Sequence, residues 1–265
     1  SAPSLNFNLA PGESDSQAIT ISNVGEEGSI MYFSSGVSPF SVVGDGPDNF
    51  GNFWSDSDLD TDINVEWVDI DGMGTLYTFP HNDQAGGQID IGFNFPFLGG
   101  EYSQCIINAN GWVGFGSDSD AWENTNIPSS AAPGPAIFGL WDDLNPVNDQ
   151  CNDDCSGYVY FYGDGEKFIV WFDQVVHWIG SGSTEGIYDF QFVLYPNGDI
   201  ELNYNTITGI HDATVGIQSS SGNDGFQIAS GSSAASNNLS RFISTGPDWL
   251  DLGENIMGQL ENGGS

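Results

Sequence analysis

The chain has 265 residues, of which 37 are Asp or Glu and only 2 are Lys or Arg, so its formal net charge at pH 7 is −35. Such an acidic surface repels phosphate and anionic lipid, which excludes nucleic acids and negatively charged membranes as partners. Hydrophobic residues make up 38% of the chain, and no stretch approaches the roughly 18 apolar residues of a membrane helix, so we expect a folded protein without membrane insertion.

The first 44 residues predict a small unit of short β-strands. Strands are favoured at 5–9, 17–22 and 29–34, and the turns between them carry Pro-Gly and Asn-Val-Gly. Residues 45–62, with the sequence DGPDNFGNFWSDSDLDTD, have the composition of an acidic linker.

The linker contains the first predicted calcium ligands. Four carboxylates recur at every second position, as in the first half of an EF-hand loop: Asp56, Asp58, Asp60 and Asp62. The rest of that motif is missing, because Thr61 stands in place of its Gly and Trp67 in place of its Glu. The alternative is a solvated acidic segment adapted to a salty medium.

Residues 63–239 predict a large antiparallel β-sandwich. Runs of β-branched and aromatic residues are interrupted by Gly, Asn, Asp and Pro about every 8–12 positions, which is typical of an all-β fold. Two hairpins are expected, with their turns at 163–166 and 196–199, because Asp-Gly and Asn-Gly accept the positive φ of tight turns. Further strands are expected at 88–95, 104–108, 112–115, 136–141 and 213–218.

The three cysteines suggest one disulfide and one free thiol. Cys151 and Cys155 lie in a polar loop, where a disulfide would close a small ring, whereas Cys105 is expected to be a buried thiol in a strand. The same loop and the residues before it predict a second calcium site, with a solvated loop as the alternative. Its candidate ligands are Asp142, Asp143, Asp149, Asp153 and Asp154.

The sequence contains no recognisable catalytic motif. His81, His177 and His211 lie in three different segments, and no G-x-S-x-G nucleophile turn is present. We therefore predict that the protein is not an enzyme.

The tryptophans divide into two groups by their neighbours. Those in apolar runs are expected in the core: Trp112, Trp141 and Trp171. Those beside polar or Gly-rich residues are candidates for stacking on sugars, with packing in the core or an interface as the alternative: Trp54, Trp122 and Trp178.

Several motifs of residues 63–230 resemble a nidogen-like β-sandwich module of secreted bacterial proteins. They are the F-x-F-P-F, N-G-W and W-D-D-L elements, in the order in which that family shows them. The resemblance implies an extracellular binding or structural role and no catalytic residues. The sequence departs from the pattern at Leu98 and in the insertion at 147–155.

Both ends of the chain are similar to parts of an immunoglobulin-like module of bacterial surface proteins. The ITISNVGE and SIMYF segments resemble its first strands, and PDWLDL resembles a later part. We therefore expect residues 1–44 and 240–265 to form one discontinuous, incomplete immunoglobulin-like β domain, with the sandwich inserted between them.

Two functions follow as hypotheses. The first is a subunit of an extracellular filament or layer that assembles head to tail by strand donation and is stabilised by Ca²⁺. Its assembly residues would be Leu5, Phe7, Leu9, Trp249 and Leu250. The alternative is a monomeric adhesin or carbohydrate-binding module of a longer secreted protein, whose missing strands lie beyond residue 265. Since no signal peptide is present, we expect a mature, processed chain at the cell surface or outside the cell.

Overall fold

The computed structural model describes residues 30–33, 48–59, 63, 67–116, 120–147, 156–178, 184–244 and 258–261, with backbone only for 30–33, 184 and 258–261. The chain divides into two compact units, one formed by Ser1–Val37 with Trp249–Ser265 and the other by Ser38–Asp248. In the described part of the chain, no helix is long and apolar enough to cross a membrane.

All regular elements of the described residues are β-strands. In chain order they are β1 (Ile30–Phe33), β2 (Phe53–Asp56), β3 (Thr75–Tyr77), β4 (Ile89–Phe97), β5 (Gly100–Asn108), β6 (Trp112–Gly114), β7 (Ala136–Trp141), β8 (Leu144–Asn145), β9 (Tyr158–Gly163), β10 (Phe168–Trp178), β11 (Thr184–Leu194), β12 (Ile200–Thr208), β13 (Ala213–Gln218), β14 (Gly225–Gly231), β15 (Leu239–Ser244) and β16 (Gly258–Glu261).

Within its described residues, the smaller unit has an antiparallel ladder. Strand β1 pairs with β16 in four residue pairs, from Ile30 opposite Glu261 to Phe33 opposite Gly258. Segments from near both ends of the chain therefore meet in one ladder.

The larger unit is an antiparallel β-sandwich, which confirms the predicted fold class. Its larger sheet has the order β2-β15-β12-β11-β10-β9-β3, with β8 pairing to β10, and its smaller sheet has the order β14-β13-β7-β6-β5-β4. Alternation along β11 and β12 places Phe190, Phe192, Leu202 and Tyr204 in the buried layer between the sheets. Phe172 of β10 stacks on Phe190 at a ring distance of 4.7 Å.

The predicted strands of the sandwich are present. The strands expected at 136–141 and 213–218 have those bounds, and the others differ at their ends by a few residues. Both predicted hairpins also form, between β9 and β10 and between β11 and β12. In the first turn Asp164 accepts the N–H groups of Glu166 and Lys167, each at 2.9 Å.

The large sheet extends beyond the predicted sandwich borders at both ends. Strand β2 lies inside residues 45–62, where the sequence predicts a linker, and β15 ends at Ser244. The two strands pair with each other, with Arg241 opposite Asp56. Trp54 of β2 packs against the main core, so this part of the acidic segment is anchored by an apolar side chain.

A segment before β3 covers part of the outer face of the large sheet. Ile70 is buried against Ile169 of β10 and Val193 of β11, and Val68 packs beside them. The side chain of Gln191 holds the backbone of Val68, accepting its N–H at 3.3 Å and donating to its carbonyl at 2.8 Å. The middle of the sheet is therefore covered on both faces.

Candidate functional site

A row of aromatic side chains lies on the outer face of the large sheet. Tyr158 and Tyr160 of β9 alternate with the buried Val159, and therefore point away from the core. Tyr160 pairs with Trp171 of β10 on one side and with Leu76 of β3 on the other. We call this surface the aromatic face, and its members are Trp67, Leu76, Tyr158, Tyr160 and Trp171.

The rings of the aromatic face contact one another in sequence. Ring centroids are 6.4 Å apart between Tyr158 and Tyr160, and 5.8 Å apart between Tyr160 and Trp171. Trp67 then stands nearly perpendicular to Trp171, with an interplanar angle of 85° and a centroid distance of 6.0 Å. The four rings form one continuous row across β9, β10 and the covering segment.

Part of this row is open to solvent. Leu76 is 48% exposed and Tyr158 42%, whereas Tyr160, Trp171 and Trp67 are half-buried. Leu76 lies opposite Tyr160 in the ladder, so an exposed apolar side chain adjoins the row of rings and makes this surface a candidate for binding.

Three carboxylates lie near the row of aromatic rings, namely Asp71, Asp173 and Asp189. Asp189 accepts a hydrogen bond from Trp171 Nε1 at 2.7 Å, and Asp173 lies opposite Tyr158 in the ladder. Burial raises the pKa of the Asp173 carboxyl, and the charges of Asp189 and Asp71 raise it further. Burial and the charge of Asp173 likewise raise the pKa of Tyr160.

No basic side chain balances these carboxylates in the described part of the chain. Lys167 lies in the β9–β10 turn, and Arg241 is buried with its guanidinium carbon 5.3 Å from the ring centroid of Tyr204. The aromatic face thus combines π faces with uncompensated negative charge, which suits ligands that carry apolar faces or positive charge.

A polar cluster, separate from the aromatic face, lies where the two sheets meet at one end of the sandwich. His177 of β10 contacts Asp142 through Nε2 at 3.1 Å, and its ring stacks on His211 at 4.3 Å with an interplanar angle of 5°. His211 in turn contacts Glu185 at 3.0 Å. Two of the three histidines that the sequence places in different segments are therefore in ring contact.

The carboxyl groups of the two adjacent aspartates in this cluster have pKa values that are shifted in opposite directions. Burial opposes ionisation of Asp142, but hydrogen bonding and the charge of His177 outweigh it, so the pKa of Asp142 is lowered. Burial raises the pKa of Asp143 to about 6, with the charge of Asp83 adding to the effect. Asp143 Oδ1 and His177 Nδ1 are buried without a hydrogen-bond partner.

The structure describes only some of the predicted calcium ligands. Asp56 Oδ1 accepts the N–H groups of Asp58 and Leu59 at 3.1 and 2.9 Å, so it caps a turn. Across the described ranges, no group of three or more His, Cys, Asp or Glu side chains is arranged to hold a metal ion. The other candidate ligands lie outside the described residues: Asp60, Asp62, Asp149, Asp153 and Asp154.

The remaining predicted sites differ in how far they are described. Cys105 is a buried free thiol, as predicted, and burial raises its pKa. The predicted disulfide and the predicted assembly residues lie outside the described residues: Cys151, Cys155, Leu5, Phe7, Leu9, Trp249 and Leu250.

The tryptophan assignments are partly corrected. Trp112 and Trp141 are buried, and both donate their indole N–H to the carbonyl of Ala121. Trp171 was expected in the core, and this is wrong, because it lies on the outer face and is half-buried. The three stacking candidates are not part of the aromatic face. Trp122 is 47% exposed, while the other two are half-buried, namely Trp54 and Trp178.

One signal in the sequence could have identified the aromatic face. The segment YVYFYG carries tyrosine at every second position, at 158, 160 and 162, which places all three on one face of a strand. Trp171 is two residues before Asp173 on the neighbouring strand, so it shares a face with a charged residue.

Comparison with known proteins identifies a family. A family model described as NIDO related matches residues 61–249, which is more than half of the chain. No curated protein and no solved structure matches the chain.

Proposed function

The chain belongs to the NIDO-related family, and from this premise we propose that it is an extracellular binding module without enzymatic activity, which contacts its partner through the aromatic face. The observation that carries this proposal is the row of four contacting rings with Leu76 exposed beside it. Packing against the rest of the fold explains why the half-buried rings are aromatic. Packing does not explain why the exposed side chains of Leu76 and Tyr158 are apolar on a surface as acidic as this one.

The charge of the chain supports an extracellular location. A protein of net charge −35 gains from a medium in which salt screens its self-repulsion, over a Debye length of about 8 Å at 0.15 M. The resemblance to nidogen-like modules points to the same compartment.

Substitution of the exposed members of the aromatic face tests the proposal. The double variant Tyr158→Ser and Leu76→Ser is compared with wild type for binding to immobilised neutral, amino and acidic polysaccharides and to basic proteins. We expect the double variant to lose binding to at least one member of the panel. Phe50→Ser is the matched control, since it removes a similarly exposed aromatic residue elsewhere. Equal binding of wild type and the double variant to every member of the panel would contradict the proposal.

Self-assembly is a second proposed function, favoured by the β1–β16 ladder. Among the described residues these two strands pair only with each other, and an isolated two-stranded sheet is marginally stable. We propose that the segment containing Leu5, Phe7 and Leu9 of a neighbouring copy adds to this ladder next to Trp249 and Leu250. Because such a contact is head to tail, it would build a filament.

Deletion of residues 1–9 tests the assembly proposal. We expect wild type to form filaments in electron micrographs at high salt and the deletion variant to stay monomeric by size-exclusion chromatography. Circular dichroism of the deletion variant verifies that the sandwich is still folded. Long filaments formed by the folded deletion variant would exclude residues 1–9 as the donor strand.

A further inference from the structure

We infer that the aromatic face binds a linear glycan built from amino sugars, with the sugar rings stacked on the aromatic row and the ammonium groups beside Asp71 and Asp173. This inference rests on the proposed function, because it names the ligand of the same surface.

The arrangement of the rings carries the first step. Neighbouring rings meet at angles of 61°, 39° and 85°, so the ring faces point in several directions along the row. An ammonium group is attracted to an aromatic face within about 6 Å of the ring centroid, and tryptophan is the best acceptor. The C–H face of a sugar ring packs on the same aromatic faces. A ligand with both groups therefore uses the whole row.

The charge of the surface carries the second step. The charges of Asp71 and Asp189 both act on Asp173, which lies opposite Tyr158 in the ladder, and the described residues provide no Lys or Arg beside them. Asp189 is buried and its two oxygens accept hydrogen bonds from Trp171 Nε1 and Asn205 Nδ2, so it contributes its charge and not a direct contact. Ionised Asp173 is thus half-buried among like charges, which a ligand ammonium group would offset. Glycans carrying sulfate or uronic acid are excluded by the same charges.

The shape of the surface favours a glycan over a peptide. A peptide recognised by a sheet commonly adds as a strand to an exposed edge. The aromatic face lies instead on the broad side of β9 and β10, which are interior strands of the large sheet. The row runs from the exposed Tyr158 to the half-buried Trp67 through three successive ring contacts. A surface of this length suits several units of an extended chain and not one sugar.

Calorimetric titration tests the inference on the full chain, with three probes. The first is a linear β-1,4-linked glucosamine oligomer at a pH at which its amino groups are charged. The second is its N-acetylated form, and the third is polylysine. We expect the glucosamine oligomer to bind roughly tenfold more tightly than the N-acetylated form, as expected for one cation–π contact assisted by a carboxylate.

Two pairs of variants separate specific recognition from general attraction to an acidic protein. Tyr158→Ala and Asp173→Asn should each weaken binding of the glucosamine oligomer about fivefold to tenfold. The matched controls are Phe50→Ala, which removes an exposed aromatic elsewhere, and Asp90→Asn, which removes an exposed carboxylate elsewhere. Both controls should bind like wild type.

Several outcomes would overturn the inference. Equal affinity for the charged and N-acetylated oligomers would show that the ammonium group is not recognised. An equal loss in Asp90→Asn and Asp173→Asn would show non-specific attraction. Binding of polylysine that depends on Tyr158, without binding of the glucosamine oligomer, would assign the surface to a basic peptide. In that last case the proposed function is still supported, because the aromatic face binds a partner. The proposed function is contradicted only if binding to every member of the panel of polysaccharides and basic proteins is independent of the aromatic face.

Discussion

Tyr204 on β12 of the large sheet donates a hydrogen bond of 2.6 Å to the carbonyl oxygen of Gly139 on β7 of the smaller sheet. Arg241 completes the arrangement by donating from Nη1 to the Tyr204 hydroxyl at 3.3 Å. Arg241 is buried, and within the described residues no carboxylate forms an ion pair with it. One phenol therefore joins the two sheets and also provides a polar partner for a buried cation.

Removal of this hydroxyl should destabilise the sandwich. We expect Tyr204→Phe to lower the free energy of unfolding by about 1–3 kcal/mol, since it leaves both the Gly139 carbonyl and a guanidinium N–H without a partner. Urea unfolding followed by tryptophan fluorescence measures the change. The control is Tyr162→Phe on the outer face, which should change stability by less than about 0.5 kcal/mol. Equal effects of the two substitutions would contradict the bridging role.

The turn of the N-G-W motif gives a second stability prediction. Gly111 has φ of +78°, its carbonyl accepts hydrogen bonds from Gly139 and Leu140, and an added Cβ would collide with the Leu140 carbonyl oxygen. Gly111→Ala should therefore cost more than about 3 kcal/mol, from backbone strain and steric overlap together.

Gly72 is the matched control for Gly111. It also has positive φ, +70°, but an added Cβ would meet nothing within 4 Å. Gly72→Ala should lower the free energy of unfolding by about 1–2 kcal/mol, which is the strain of a positive φ in a residue that has a Cβ. Chemical denaturation of both variants measures the difference, and similar losses would show that the close approach to Leu140 is not rigid.

The main sandwich could be predicted because its signals are local. Apolar residues alternate with polar ones in β11 and β12, and Asp-Gly and Asn-Gly mark the turns, so period and turn chemistry identify the hairpins. Trp171 was misplaced for a physical reason. Residues 168–172 are a continuous apolar run because the sheet is covered on both faces there, and the outer cover comes from Ile70, far away in the sequence. The contact between His177 and His211 is equally non-local, since it joins the end of β10 to the loop between β12 and β13.

The acidic segments at 56–62 and 142–154 give a prediction about calcium. If either segment binds Ca²⁺, micromolar to millimolar CaCl₂ should raise the melting temperature in a saturable manner, because a ligand that binds only the folded state stabilises it. NaCl at the same ionic strength should give a smaller rise without saturation, since it only screens charge. Asp153→Asn and Asp58→Asn identify which segment is responsible. Identical melting curves in CaCl₂ and NaCl of equal ionic strength would contradict calcium binding.

Asp143 gives a prediction about pH. Its pKa is raised from 3.8 to about 6 by burial and by the charge of Asp83, so the folded state favours the protonated carboxyl. The stability that this proton contributes is complete below about pH 4 and is lost as pH rises through about 6, where Asp143 ionises in the folded protein. Asp143→Asn cannot ionise and should avoid that loss.

The expected advantage of Asp143→Asn is about 1–2 kcal/mol at pH 7, allowing for solvent screening of a side chain that is not fully buried, and close to zero near pH 3.5. Urea unfolding of both proteins at several pH values, with a chelator present to remove divalent ions, measures this difference. Asp90→Asn, which removes the same formal charge from an exposed site, accounts for the general relief of negative charge. An advantage of Asp143→Asn that is independent of pH, or no larger than that of Asp90→Asn, would contradict the raised pKa of Asp143.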